Sequence, residues 1–172
     1  PGRSEGGSHR SAKHGGFLVS GALPAAIGET FTLRVRLRPE EIPAFATSVQ
    51  DHNPLHHDIA FARAAGYPGL IASGTHLGSI FMGMTATHFS QPLADGTARS
   101  GLGLGFELRF RAPVYPDENI DLRWTVTSLH RKDTLRGWIT KLEGDAHTQR
   151  GILLSGTGTL LLRLGAAIGA PG

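Results

Sequence analysis

The chain has 172 residues, 40% hydrophobic and 18% charged, the size of one domain and the composition of a globular protein. It contains no cysteine, which excludes a disulfide framework, a thiolate nucleophile and a thiolate-held metal, and makes the cytoplasm the default expectation. No apolar run approaches the roughly 20 residues of a membrane span, and the N-terminal stretch lacks the apolar segment of a signal peptide, so no membrane partner is expected.

The sequence pI of about 9.8 raises the question of a nucleic-acid partner. Within residues 1–16, Arg3, Arg10 and Lys13 stand against Glu5, so this stretch holds +2 of the total +3 and the rest is nearly neutral. A nucleic-acid binder carries a basic stripe on a folded face, and none is visible. Residues 1–16 are polar and rich in Gly and Ser, which predicts a disordered tail or an expression remnant. The folded domain is expected over residues 17–163, with residues 164–172 a small-residue tail.

Phe31–Arg38 alternates apolar and polar residues with period two, which predicts a half-buried strand. Pro39-Glu40-Glu41 then opens a short helix whose apolar face is Ile42, Phe45, Ala46 and Val49. Residues 51–73 read as irregular, with one short helix near Asp58–Ala65. From Gly74 to about Gln91 the spacing of Leu77, Ile80, Phe81 and Met84 is that of one buried helical stripe. Four strand candidates follow: Leu102–Phe110, Ile120–Val126, a weaker one around Trp138–Leu142, and Ile152–Arg163. Pro113–Asn119 and Glu143-Gly144-Asp145 read as turns between them. One long apolar helix followed by antiparallel strands predicts an α+β domain in which a sheet wraps the helix. Gly101–Gly105 is not a phosphate loop, because it lacks both the spacing and the following helix.

Chemistry concentrates in Asp51-His52-Asn53-Pro54-Leu55-His56-His57-Asp58. Pro54 biases Asn53 towards an extended conformation, so a bend here can bring the Asp51 carboxylate and the His56 ring together. Such a pair suits proton transfer, because Asp holds or polarises water while His exchanges a proton near neutral pH. Asn53 braces the bend through an Asx-type hydrogen bond. The same residue types also make ordinary surface turns. His52, His56, His57 and Asp58 offer a metal reading, but Pro54 keeps His52 and His56 off one helix face and a catalytic zinc needs about three converging ligands, so no metal is expected. His76, His88, His130 and His147 are isolated and read as polar surface or core-edge residues.

Asp51–His56, followed by Asp58, Ala62, Gly66-Tyr67-Pro68 and Ile71-Ala72-Ser73-Gly74, resembles the MaoC-like (R)-specific enoyl-CoA hydratases and dehydratases. The block Phe106–Asp117 is similar to that family's strand and following turn, so the resemblance covers about residues 25–163. It implies a hot-dog fold: a five-stranded antiparallel sheet wrapped around the Gly74–Gln91 helix. It further implies hydration of a trans-2-enoyl thioester, or the reverse dehydration, with Asp51 and His56 as the catalytic pair. Gly74 takes the oxyanion-donor position, supported by Ser73 and Asn53, which agrees with the free N–H groups of a helix start. Gln50 and Ser73 depart from the commonest family pattern, which touches substrate choice more than chemistry. The implied partner is an acyl-CoA or acyl-carrier-protein thioester, with coenzyme A part of the substrate, no separate cofactor, and a homodimer or higher homo-oligomer. Two rival classes are a hot-dog thioesterase and a non-catalytic acyl-thioester-binding subunit. The first usually carries its carboxylate on the central helix, and Thr75–Gln91 has none; the second loses the pair that this chain retains.

Overall fold

A computed structural model describes residues 22–165; the expected tail at 1–16 and nearly all of that at 164–172 lie outside the described residues. The elements are β1 (Thr30–Val35), α1 (Glu41–Ser48), α2 (Ile59–Ala64), α3 (Gly74–Ser90), β2 (Arg99–Phe110), β3 (Ile120–Lys132), β4 (Gly137–Thr148) and β5 (Gly151–Leu164). The strands form one five-stranded sheet in the order β1-β3-β4-β5-β2, with every neighbouring pair antiparallel. This is the α+β arrangement expected, a sheet curled around one long helix. Among the described residues no helix is long and apolar enough to cross a membrane.

The sheet holds α3 through its apolar stripe. Leu77, Phe81, Met84 and Phe89 are buried in one cluster with Ile120, Leu122, Trp124, Leu142 and Leu160. Trp124 is central: its ring stacks on Phe81 at 4.1 Å, and its indole N–H donates to the Phe81 carbonyl at 2.8 Å. A buried Trp thus satisfies its one donor while adding its full apolar area to the core. The sheet comes close to the helix where side chains are missing. A Cβ on Gly78 would meet Leu108 Cδ1 at 3.0 Å, and one on Gly156 would meet Leu108 Cδ2 at 2.7 Å.

Several expectations change here. Glu143-Gly144-Asp145 is not a turn but the interior of β4, with Gly144 paired to Trp124 on one side and Gly156 on the other. A Cβ at Gly144 would run into the Arg123 carbonyl oxygen and the Trp124 ring, so this glycine makes room within the sheet. The turn before β4 lies at Asp133–Leu135, ended by Arg136 at φ 49°, and the weak candidate around Trp138 is the start of a 12-residue strand. Val49 is off the apolar face of α1 and 48% exposed, because the helix has ended by Ser48. In β2 a bulge between Gly103 and Gly105 breaks the register, so Leu102 and Leu104 lie exposed while Phe106 and Leu108 pack on the core. Of the histidines read as surface or core-edge residues, His88 is half-buried as expected and His76 is buried outright. His76 is buried and stacked flat on Phe45 at 4.2 Å, and His88 binds the Glu29 carboxylate at 2.7 Å.

Candidate active site

The site forms where α1 ends and α3 begins. The Asp51 amide donates to the Ala46 carbonyl at 2.8 Å, and Gln50, at φ 60°, turns the chain out of the helix. Asn53 is extended, as Pro54 demands, and Pro54–His56 is a single 3-10 turn with proline in its first position. The Asn53 side-chain oxygen accepts from the Leu55 amide at 3.1 Å and closes that turn. The Asn53 amide itself donates to Asp51 Oδ1 at 3.2 Å. Asp58 caps α2 by accepting from the Ala60 and Phe61 amides, so it serves the helix rather than a metal.

These bonds bring Asp51 and His56 together, with Asp51 Oδ2 3.4 Å from His56 Nε2. The His56 ring is buried, and its Nδ1 lies 2.7 Å from the Ile71 carbonyl oxygen. A carbonyl only accepts, so Nδ1 carries the proton and donates it, and a neutral ring then presents its lone pair at Nε2 to Asp51. The carboxyl of Asp51 is held below the ordinary carboxylate range, first by the Asn53 amide and then by the Ser73 hydroxyl, against desolvation that raises it; His56 and His57 add attraction in their protonated forms. Asp51 is therefore ionised at neutral pH. His57 contributes from behind, its Nε2 2.7 Å from the Asp51 backbone oxygen.

Asn53, His56, Ser73 and Gly74 line one open cavity of about 440 Å³; Asp51 stands beside His56 and is not itself part of that wall. Gly74 is the first residue of α3 and Ser73 its N-cap, but the Ser73 hydroxyl makes no capping bond and lies instead 2.8 Å from the Thr75 hydroxyl. The first amides of α3 are thus without side-chain partners and open to an anionic ligand. The opposite wall comes from Phe110–Val114. Its position is fixed by the Ala72–Val114 bridge, whose Ala72 amide donates to the Val114 carbonyl at 2.8 Å. Within the described residues, no three His, Asp or Glu side chains converge as metal ligands.

Residues 22–146 match the family described as the MaoC-like domain. The chain belongs to that family. Over 138 residues, 80% of this chain and 94% of the relative, it is 28% identical to the (R)-specific enoyl-CoA hydratase of Aeromonas caviae. It is 30% identical over 126 residues, 72% of this chain and 69% of the relative, to the mitochondrial 3-hydroxyacyl-(acyl-carrier-protein) dehydratase of Arabidopsis thaliana. The structure of an (R)-hydratase from A. caviae involved in PHA biosynthesis aligns with a TM-score of 0.67 at 28% identity, covering 84% of this chain and all of that one. The hot-dog fold of this MaoC-like chain follows from that match together with the observed sheet and helix.

The structure brings the expected Asp51 and His56 together and sets Gly74 in the same cavity as His56, but the walls of that cavity were not legible in the sequence. Three contributions went unseen: the Ile71 carbonyl that sets the His56 tautomer, the Phe110 ring that lies against Gly74, and Arg111 at the rim. No spacing signal announces a backbone carbonyl 15 residues away. Phe110 was visible as an apolar strand residue, and its pairing with a helix glycine depends on how β2 crosses α3.

Proposed function

We propose that the protein interconverts a trans-2-enoyl thioester and the corresponding (R)-3-hydroxyacyl thioester by adding or removing water held by Asp51 and His56. The observation that carries this reading is the arrangement of acceptors. With the His56 ring in its neutral form and Nδ1 donating to Ile71, Asp51 Oδ2 and His56 Nε2, 3.4 Å apart, are both acceptors and have no hydrogen bond to share. A water molecule has two hydrogens and can donate one to each. In hydration its oxygen bonds to carbon 3 while one of its protons passes to the pair, and a proton from the pair goes to carbon 2. The product has gained one hydroxyl and one hydrogen, and the pair ends as it began; dehydration is the same path reversed. Negative charge collects on the thioester carbonyl oxygen meanwhile, and on this reading the amide of Gly74, the first residue of the uncapped α3, receives it. One such donor is typically worth ~10²–10³ in rate. The thioester arrives on coenzyme A or an acyl-carrier protein, so coenzyme A enters as part of the substrate.

The active unit on this reading is a homodimer or higher homo-oligomer. β2 is an edge strand, and it leaves Leu102 and Leu104 49% exposed beside unpaired backbone groups. Edges of that kind are normally paired or covered, and a second copy offers the same strand.

The test is the absorbance of the conjugated thioester with crotonyl-CoA as substrate. Wild-type protein should bleach it. Asp51→Asn, nearly isosteric, should slow the bleaching by at least ~10²-fold, the lower range for a general acid–base group. Release of free thiol would instead support a thioesterase, and binding without any reaction would support a non-catalytic subunit.

A further inference from the structure

Asp51 follows the end of α1 and Gly74 begins α3, so the contact between these two helices sets the frame of the site. They meet over a short stretch, where the His76 ring of α3 lies flat on the Phe45 ring of α1, centroids 4.2 Å apart and planes within 4°. Both sides of this stack lead to Asp51. On the α1 side Ala46, next to Phe45, accepts from the Asp51 amide at 2.8 Å. On the α3 side the His76 amide donates at 2.9 Å to the carbonyl of Ser73, whose hydroxyl bonds the Asp51 carboxylate.

His76 is buried, and its Nδ1 has no hydrogen-bond partner among the described residues. A neutral imidazole tolerates this, because it can keep its single hydrogen on Nε2 and leave Nδ1 a bare acceptor. The charged ring has no such choice: both nitrogens carry hydrogen, and the one on Nδ1 is then buried without an acceptor. The charged group facing the ring is Glu41 of α1, already engaged by the Arg38 amide at 2.7 Å and the Arg38 guanidinium at 3.0 Å. α3 adds no countercharge, since its other titratable residue is His88 at the far end. Burial therefore holds the His76 ring below its ordinary value of 6.5, against the pull of Glu41.

We propose that His76 is a positioning residue and an acid-sensitive latch: neutral, it holds α1 on the start of α3 and Asp51 in place, and on taking a proton it lets that contact open. The latch acts on the site of the thioester reading, but does not depend on which reaction the site performs. Because the folded ring takes a proton less readily than a free one, the contact is at full strength above pH 6.5 and weakens as the pH falls below it.

Hydrogen exchange of the Asp51 amide reads the opening directly and needs no substrate. If the ring is charged only when the contact opens, opening grows about 10-fold by about pH 5.5, one unit below 6.5. Protection of the Asp51 amide, corrected for its intrinsic exchange rate, should therefore fall about 10-fold between about pH 7.5 and 5.5. His76→Phe keeps a flat apolar ring without a titratable nitrogen and should abolish that fall. Over the same range its kcat/KM on crotonyl-CoA should drop less steeply than that of the wild type. An equal pH-dependent loss of protection in His76→Phe overturns the proposal. So does an Asp51 amide as protected as the core amides of β4, which would mean that this segment opens only with the whole domain. Should His76→Phe not fold, the wild-type ring decides by NMR titration: His76 is expected to titrate below 6.5, and a value at or above it overturns the proposal. If exchange behaves as expected while no thioester is hydrated, the hydratase reading fails and the latch stands.

Discussion

Gly74→Ala is the sharpest test of the proposed oxyanion position. An ideal Cβ at residue 74 would lie 2.9 Å from Phe110 Cδ1 and Cε1 and 3.1 Å from Cγ. Ordinary carbon contacts begin near 3.5 Å, so helix and ring must part by about 0.6 Å. Phe110 is 53% exposed and can yield towards solvent, while alanine favours the helix by up to about 1 kcal/mol over glycine. The two effects oppose each other, and the melting temperature should move by no more than about 4 °C. Activity should be less forgiving. A misplacement of about 1 Å can cost ~10²-fold, so a shift of roughly half that size should lower kcat/KM on crotonyl-CoA by about 10-fold. The cause is identified by Gly74→Ala/Phe110→Ala, which removes the colliding ring and should recover part of the loss relative to Phe110→Ala alone. Full turnover in Gly74→Ala would refute the argument, because the amide would then not depend on close packing. No recovery in the double variant would show that the ring is not what displaces it.

His57→Ala should cost less than about 10-fold in turnover, since His57 touches only the Asp51 backbone oxygen, and His52→Ala should retain most activity; initial rates on crotonyl-CoA decide both. At the far end of α3, Glu29 joins His88 at 2.7 Å and Arg99 at 3.3 Å, with Arg99 buried and also bonded to the Pro24, Gln91 and His88 carbonyls. Burial pushes the Glu29 carboxyl up, but His88, the Ala26 amide and Arg99 together hold it below its usual value of 4.5. A lowered folded-state value means that its stabilisation is complete above that usual value and disappears as the pH falls through the lower one. Glu29→Gln should therefore destabilise by about 1–3 kcal/mol at pH 7 and by much less in strong acid, read from urea unfolding across pH. Sedimentation at micromolar concentration should show a dimer or larger, and a lone 18.2 kDa species would contradict the pairing of β2 edges.

What the sequence made legible depended on how local the signal was. Pro54 after Asn53, and Asn53 two residues before Leu55, are short-range instructions, and the bend they encode closes as their chemistry requires. The stripe from Leu77 to Met84 likewise carries its own period, so α3 could be placed within a residue. Gly144 misled because a glycine between acids reads as a turn when only neighbours are considered. Its reason is Trp124, 20 residues earlier and across the sheet. His76 misled in the same way, since burial against Phe45 is set by the packing of α1 on α3 and leaves no trace in spacing. Charge balance is the other limit. Arg109 and Arg111 are indistinguishable in sequence, yet one is paired and the other, among the described residues, is not.

The two ends of α3 differ in how their backbone groups are satisfied, and the proposed site uses the N-terminal one. At the C-terminus the last carbonyls meet the buried Arg99, which bonds the His88 and Gln91 oxygens and is in turn neutralised by Glu29. The C-terminal end of the helix is thus met by a fixed cation that bonds two of its carbonyls. At the N-terminus the counterpart is withheld. Ser73 occupies the capping position but turns its hydroxyl to Thr75 and towards Asp51, and the Gly74 start stays open to the cavity. A capped terminus would have been more stable by about 1 kcal/mol. On the proposed reading, leaving it uncapped keeps its amides free for charge that arises only during reaction, beside an ionised Asp51 and a His56 tautomer fixed by Ile71.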